Sequence, residues 1–136
     1  MNRADFQQLA ERRLQESKAL LNAGFPDGAY YLAGYAVECA LKACIAKRTR
    51  ERDFPEKESQ GYYVHDLRKL VGFARLTVDL DRALQTDSVM DANWTIVMNW
   101  SEASRYLKKT AQEAMDLIHA IEDQAGGILP WIMLHW

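Results

Sequence analysis

Little in this sequence breaks a helix or staples a small fold together. Of its 136 residues, three are proline and seven are glycine, too few for a loop-rich or all-β chain. There are two cysteines, Cys39 and Cys44, which excludes a disulfide scaffold. On one helix they stand about 140° apart around the axis, so they cannot bridge within it. They match no zinc spacing either. Three scattered histidines, His65, His119 and His135, form no ligand cluster, so neither a metal nor a cofactor is expected. No charge of one sign dominates, the formal net charge being -2. That excludes a non-specific nucleic-acid coat and confines any such contact to a local patch. Met1 to Phe6 holds Arg3 and Asp5 and no apolar run, unlike a signal peptide. The apolar stretch Ala29 to Ala46 is interrupted by Glu38 and Lys42, which would be costly at a bilayer centre. A reduced, cytoplasmic protein with no membrane span is expected.

What is present favours helix. Leu, Ala, Glu, Lys, Arg and Gln are abundant, and 49% of residues are hydrophobic, enough for one core at this length. The pattern predicts a first helix over Arg3 to Asn22, with Phe6, Leu9, Ala10, Leu14 and Ser17 inward and Gly24 and Pro26 ending it. A second helix, the most buried, runs from Pro26-Asp27 to about Lys47. Gly34 inside it costs about 1 kcal/mol against Ala and suits close approach of a neighbour. Arg48 to Gly61 is charged, contains Pro55, and reads as an exposed connection; its basic run, Lys47 to Arg52, is read as solvated. A third helix begins at His65-Asp66, and a fourth covers Val78 to Thr86. Asp87 to Ser101 reads as a turn-rich connection holding Trp94 and Trp100. A last long helix is expected over Glu102 to Gln124, its seam running through Leu107, Ala111, Ala114, Ile118 and Ile121. The fold class is therefore all-α: an antiparallel up-and-down bundle of four to five helices in one domain, residues 1–127. The tail, Ile128 to Trp136, holds Ile128, Leu129, Trp131, Ile132, Met133, Leu134 and Trp136. Left exposed, it would be a liability, so it must pack on the bundle or in a dimer interface.

On the expected last helix, Arg105, Lys109, Gln112 and Asp116 share one face, with Lys108 adjacent. That face is either solvated or phosphate-facing, with Arg105 making bidentate contacts and Trp100 and Tyr106 stacking on bases. Glu38 and Lys42 form an i,i+4 pair at the core edge, and Glu38 could also orient an arginine such as Arg105. His65-Asp66 is explained by helix capping.

Three stretches together resemble the HEPN family. Tyr31 to Ile45, with Gly34, Glu38 and Lys42, is similar to its second helix. His65-Asp66-Leu67 with Leu70 is similar to the start of its third. Glu102-Ala103-Ser104-Arg105-Tyr106 is similar to the arginine–tyrosine opening of its last helix. The resemblance implies a helical bundle that pairs as a homodimer, often encoded beside a minimal nucleotidyltransferase in a toxin–antitoxin or defence setting. Many members cut RNA without metal, using an arginine followed four to six residues later by a histidine. Here the positions after Arg105 that would carry it are Thr110, Ala111 and Gln112. Without that imidazole no group in the motif titrates near neutral pH to move a 2′-hydroxyl proton. The expectation is a non-catalytic module binding a nucleotide, RNA or a protein partner through Arg105, Tyr106, Lys108, Lys109, Gln112 and Trp100, with Glu38 and Lys42 in support. The alternatives are a metal-independent endoribonuclease with a rearranged site centred on Arg105, and an assembly subunit for a nucleotidyltransferase.

Overall fold

The computed structural model describes residues 1–49 and 64–136. The expected connection Arg48 to Gly61, with its basic run, lies outside the described residues beyond Thr49. Among the described residues the chain forms seven α-helices and one 3₁₀ turn, and no strand. It is an all-α fold.

Two long helices form the frame. α1 spans Arg3–Asn22 and opens on a capping box between Asn2 and Asp5. α2 spans Pro26–Arg48, with Pro26 at its start, where the missing N–H costs nothing. Gly24, at φ +88°, makes the turn between them, a left-handed conformation that favours glycine. Small residues bring the two helices close: Ala10, Ser17, Ala29 and Ala33 are fully buried. The Ser17 hydroxyl donates to the Ala29 carbonyl at 2.5 Å, so the polar atom at this contact is satisfied.

α2 is the centre of the molecule. Ala36, Val37, Ala40, Leu41 and Ile45 are sealed from solvent, and elements from both ends of the chain pack on it. α3 (Leu67–Phe73) is capped by Asp66, whose carboxylate accepts from the Lys69 N–H. α4 covers Thr77–Thr86.

The second half differs from the sequence expectation. Asp87 to Ser101 is not a turn-rich connection: α5 occupies Ser88–Met98. Its low propensity is overridden by capping and packing. The Asp87 side chain accepts from the N–H groups of Val89 and Met90, and Met90 and Val97 enter the core two turns apart. Asn93 is buried and donates to the Gly126 carbonyl. The expected helix over Glu102 to Gln124 is also broken. A 3₁₀ turn, Glu102–Tyr106, is followed by an extended step, and α6 starts afresh at Ala111 and ends at Glu122. The capping box of Thr110 with Glu113 fixes this break, satisfying amides that a continuous helix would have used internally; Ser104 Oγ accepts from the Ser101 N–H at the start of the 3₁₀ turn. α7 (Ile128–Met133) folds the tail back. Ile128, Leu129 and Ile132 are buried in the chain's own core, and no second copy is needed to cover them.

Gly34 meets Trp100. A Cβ at Gly34 would overlap the Trp100 indole, whose Nε1 donates to the Tyr31 carbonyl at 3.2 Å. Gly34→Ala would gain about 1 kcal/mol of helix propensity. Displacing a buried indole costs about 1–3 kcal/mol or more, so the sign reverses. The variant is expected to melt several degrees below the parent when followed by circular dichroism. An unchanged or raised midpoint would show that the Trp100 seat can relax.

Candidate functional site

The site grows from a charge that α2 buries. Glu38 lies in the middle of that helix and is fully buried. A carboxylate there is costly unless paired. Its partners are Lys42 Nζ at 2.9 Å, one turn on, and His65 Nδ1 at 2.5 Å, from the segment that leads into α3. Both meet the same oxygen, Oε1. The other oxygen, Oε2, is buried with no hydrogen-bond partner among the described residues. The expected pair at the core edge is therefore a buried one that also captures a histidine. The Asp66 cap is present as expected, but it accounts for Asp66 alone, since His65 has a separate partner.

His65 is half exposed. With Nδ1 committed to Glu38, the ring orientation is fixed and Nε2 points to the 3₁₀ turn, 3.4 Å from Glu102 Oε1. The same Glu102 oxygen lies 3.6 Å from Arg105 Nη1. A chain of ionisable groups thus runs Lys42, Glu38, His65, Glu102, Arg105 from core to surface. Glu38 does not touch Arg105, as the sequence reading had suggested; His65 and Glu102 stand between them. Beside this chain is an open cleft of about 390 Å³, lined in part by His65, Arg68, Met98, Trp100, Ser101 and Glu102. Arg68 Nε contacts the Met98 sulfur, which leaves most of its guanidinium donors toward solvent.

The residues expected to share one helix face do not. Arg105 sits on the 3₁₀ turn, with its guanidinium 4.8 Å from the Tyr106 ring centroid. The Tyr106 side chain, and after it Glu102, raise the arginine's pKa, so it is a permanent cation. Tyr106 is 76% exposed, and Lys108 is exposed beside it. Lys109 lies in the extended step: its amide donates to Asp27 Oδ1 at 2.6 Å and its ammonium stands 4.5 Å from the Tyr30 ring centroid. Gln112 and Asp116 are on α6 and bond to each other at 2.7 Å. The capping of α6 by Thr110 separates this group from Arg105. Trp100 is 4% exposed and stacks on Tyr31 inside the fold, so its indole is a packing element and not a free base platform.

The remaining titratable groups are structural. Burial pushes the Cys39 and Cys44 thiols up to about 12, which suppresses the reactive thiolate. His119 is exposed and, among the described residues, pairs with Asp123. Among the described residues no cluster of His, Cys, Asp and Glu is suited to a metal, and no helix is long and apolar enough to cross a membrane.

The HEPN domain model matches residues 5–123, and the chain belongs to the HEPN domain family. No curated protein sequence and no solved structure matches it significantly. Arg105 is followed by Tyr106, and Thr110, Ala111 and Gln112 stand where the resemblance would place a histidine. The imidazole nearest to it along the ion-pair chain comes from His65. In the sequence, helix capping accounts for His65-Asp66, and nothing in the spacing ties His65 to Glu38, 27 residues away.

Proposed function

We propose that this chain is a HEPN module that binds a phosphate-bearing ligand, RNA or a nucleotide, at the cleft beside Arg105, without itself performing catalysis. The observation that carries this reading is the ion-pair chain from buried Glu38 through His65 to Glu102 and Arg105. A fully buried carboxylate is an expensive way to hold a surface histidine, and it is hard to account for by stability alone. Arg68 and Arg105 supply fixed cations suited to phosphate oxygens, and Tyr106 supplies an exposed ring for stacking. Pairing of two copies would place two such clefts in one assembly, and a nucleotidyltransferase is the partner that family membership favours in a toxin–antitoxin or defence setting.

Fluorescence anisotropy with labelled single-stranded RNA and with a labelled mononucleotide tests the reading. Arg105→Ala is expected to weaken binding about tenfold or more, as loss of a charge-assisted contact worth about 1.5–3 kcal/mol would do. The affinity should also fall with salt. Equal affinity in parent and variant would remove Arg105 from the site.

One observation favours the rival enzymatic reading. His65 is a histidine oriented by a carboxylate, the arrangement that a general base needs, and it is linked to Arg105 through one side chain. Accumulation of cyclic-phosphate ends on RNA under chelating conditions, lost in His65→Asn, would favour that reading over the binding module.

A further inference from the structure

The position of the Glu102 carboxylate has a chemical meaning. One of its oxygens is within 3.4 Å of His65 Nε2 and 3.6 Å of Arg105 Nη1. An imidazole and a guanidinium facing one oxygen are the donors that bind an oxyanion. The ring on one side is preset in orientation, since buried Glu38 holds the other nitrogen, and Nε2 donates in the form of the imidazole that carries both protons. Glu38 Oε2 is buried and without a hydrogen-bond partner among the described residues, so His65 and Lys42 meet the carboxyl group through Oε1 alone. Glu102 itself is only one-third exposed and belongs to a 3₁₀ turn braced by the bond from the Ser101 N–H to Ser104 Oγ, which limits its freedom to turn away.

We propose that His65 and Arg105 form a phosphodiester-oxygen site and that the Glu102 carboxylate is its built-in occupant, so that a ligand phosphate binds by displacing Glu102. This rests on the reading of the cleft as a phosphate-binding surface. It goes further by naming the two donors and the group that competes for them. The Glu102 carboxylate holds the two donors through one oxygen at 3.4 and 3.6 Å, longer than charge-assisted hydrogen bonds of about 2.7–2.9 Å, whereas a phosphodiester offers each donor a non-bridging oxygen of its own. The cost of displacement lowers affinity and selects ligands that reach both donors at once. The surrounding charges agree: Arg68 lines the cleft, while Asp66 is engaged as the α3 cap and Lys42 is engaged with Glu38.

The consequence is a variant that gains affinity. Glu102→Gln keeps the size of the side chain and removes its charge. Each contact it loosens is part exposed, so the gain expected is about fivefold. The probe is a fluorescein-labelled single-stranded 2′-O-methyl RNA decamer, which cannot be cleaved at its sugars, followed by anisotropy on the full chain. Inorganic phosphate and a nucleoside monophosphate serve as competitors and distinguish a free phosphate or nucleotide from a strand. Glu11→Gln, on α1 and outside the cleft, removes the same charge and controls for net charge. The expected result is tighter binding in Glu102→Gln alone, with the gain erased when His65→Asn or Arg105→Ala is added. Equal gains in Glu11→Gln and Glu102→Gln, or a gain that survives loss of both donors, would overturn the proposal. RNA binding that depends on Arg105 but is unchanged or weakened by Glu102→Gln would overturn it too, leaving the binding reading intact. No binding of strand or nucleotide by parent or variant would overturn both. Circular dichroism of each variant checks that the fold is retained.

Discussion

A chain ended at Gly127 is expected to lose most of its stability. Ile128, Leu129 and Ile132 are buried in the central core, with Ile128 and Ile132 sealed completely. Burying one such side chain contributes about 1.5–3 kcal/mol, so the three together contribute on the order of 5–9 kcal/mol. A domain of this size is stable by about 5–15 kcal/mol in total. The same cut removes Trp136, which packs with Phe6, Ala43 and Ala46 in a satellite cluster and whose backbone carbonyl accepts from Arg3 Nη2 at 2.6 Å. Urea titration followed by circular dichroism should find the truncated chain largely unfolded, or folded with a sharply lowered midpoint. A truncated chain that melts within a few degrees of the full one would show that the bundle closes over the gap. This burial also moves the argument for a homodimer off the tail. Of its large apolar side chains only Leu134 is well exposed, at 77%. Light scattering across dilution is the direct measurement of pairing.

The tail illustrates what patterning can and cannot say. Seven large apolar side chains in nine residues demand burial, and the sequence states the demand clearly. Where they are buried depends on a groove whose shape comes from α2, α5 and α6 together, so the tail's own residues are silent on it. The first half was readable because its signals are local: the capping box at Asn2, Pro26 at a helix start, Gly24 in a left-handed turn, Asp66 as a cap. In the second half, seam spacing from Leu107 to Ile121 looked continuous. It outweighed a capping box, Thr110 to Glu113, that was present in the letters. α5 was hidden for the opposite reason. Its Asp91, Asn93 and Thr95 carry low helix propensity, and tertiary contacts such as Asn93 to the Gly126 carbonyl override it. At the site, Arg105 and the Glu38–Lys42 pair were legible by spacing. The link between them was not, because His65 is 27 residues from Glu38 in the chain and joins it only once α3 docks.

Replacing Glu38 by glutamine is expected to destabilise the protein by about 3–5 kcal/mol, the usual result of removing one member of a buried ion pair. The charge left behind is Lys42, whose side chain is 13% exposed and whose ion pair among the described residues is with Glu38. The midpoint of thermal unfolding should fall on the order of 10 °C. Buried pairs replaced as a unit behave differently, since a well-packed apolar pair often matches or exceeds them. The double variant Glu38→Leu with Lys42→Met should therefore recover most of the lost stability. It would not recover the site. His65 would lose the carboxylate that fixes its ring, and the histidine, Glu102 and Arg105 would no longer be held in line. Affinity for the uncleavable RNA should stay reduced while the midpoint returns, separating the two roles of one residue. Glu38→Gln melting like the parent would mean that Lys42 finds another counter-charge. A double variant as unstable as the single one would assign the loss to packing and not to charge. A double variant that is stable and binds like the parent would show that Glu38 serves the fold alone and that His65 finds its place without it.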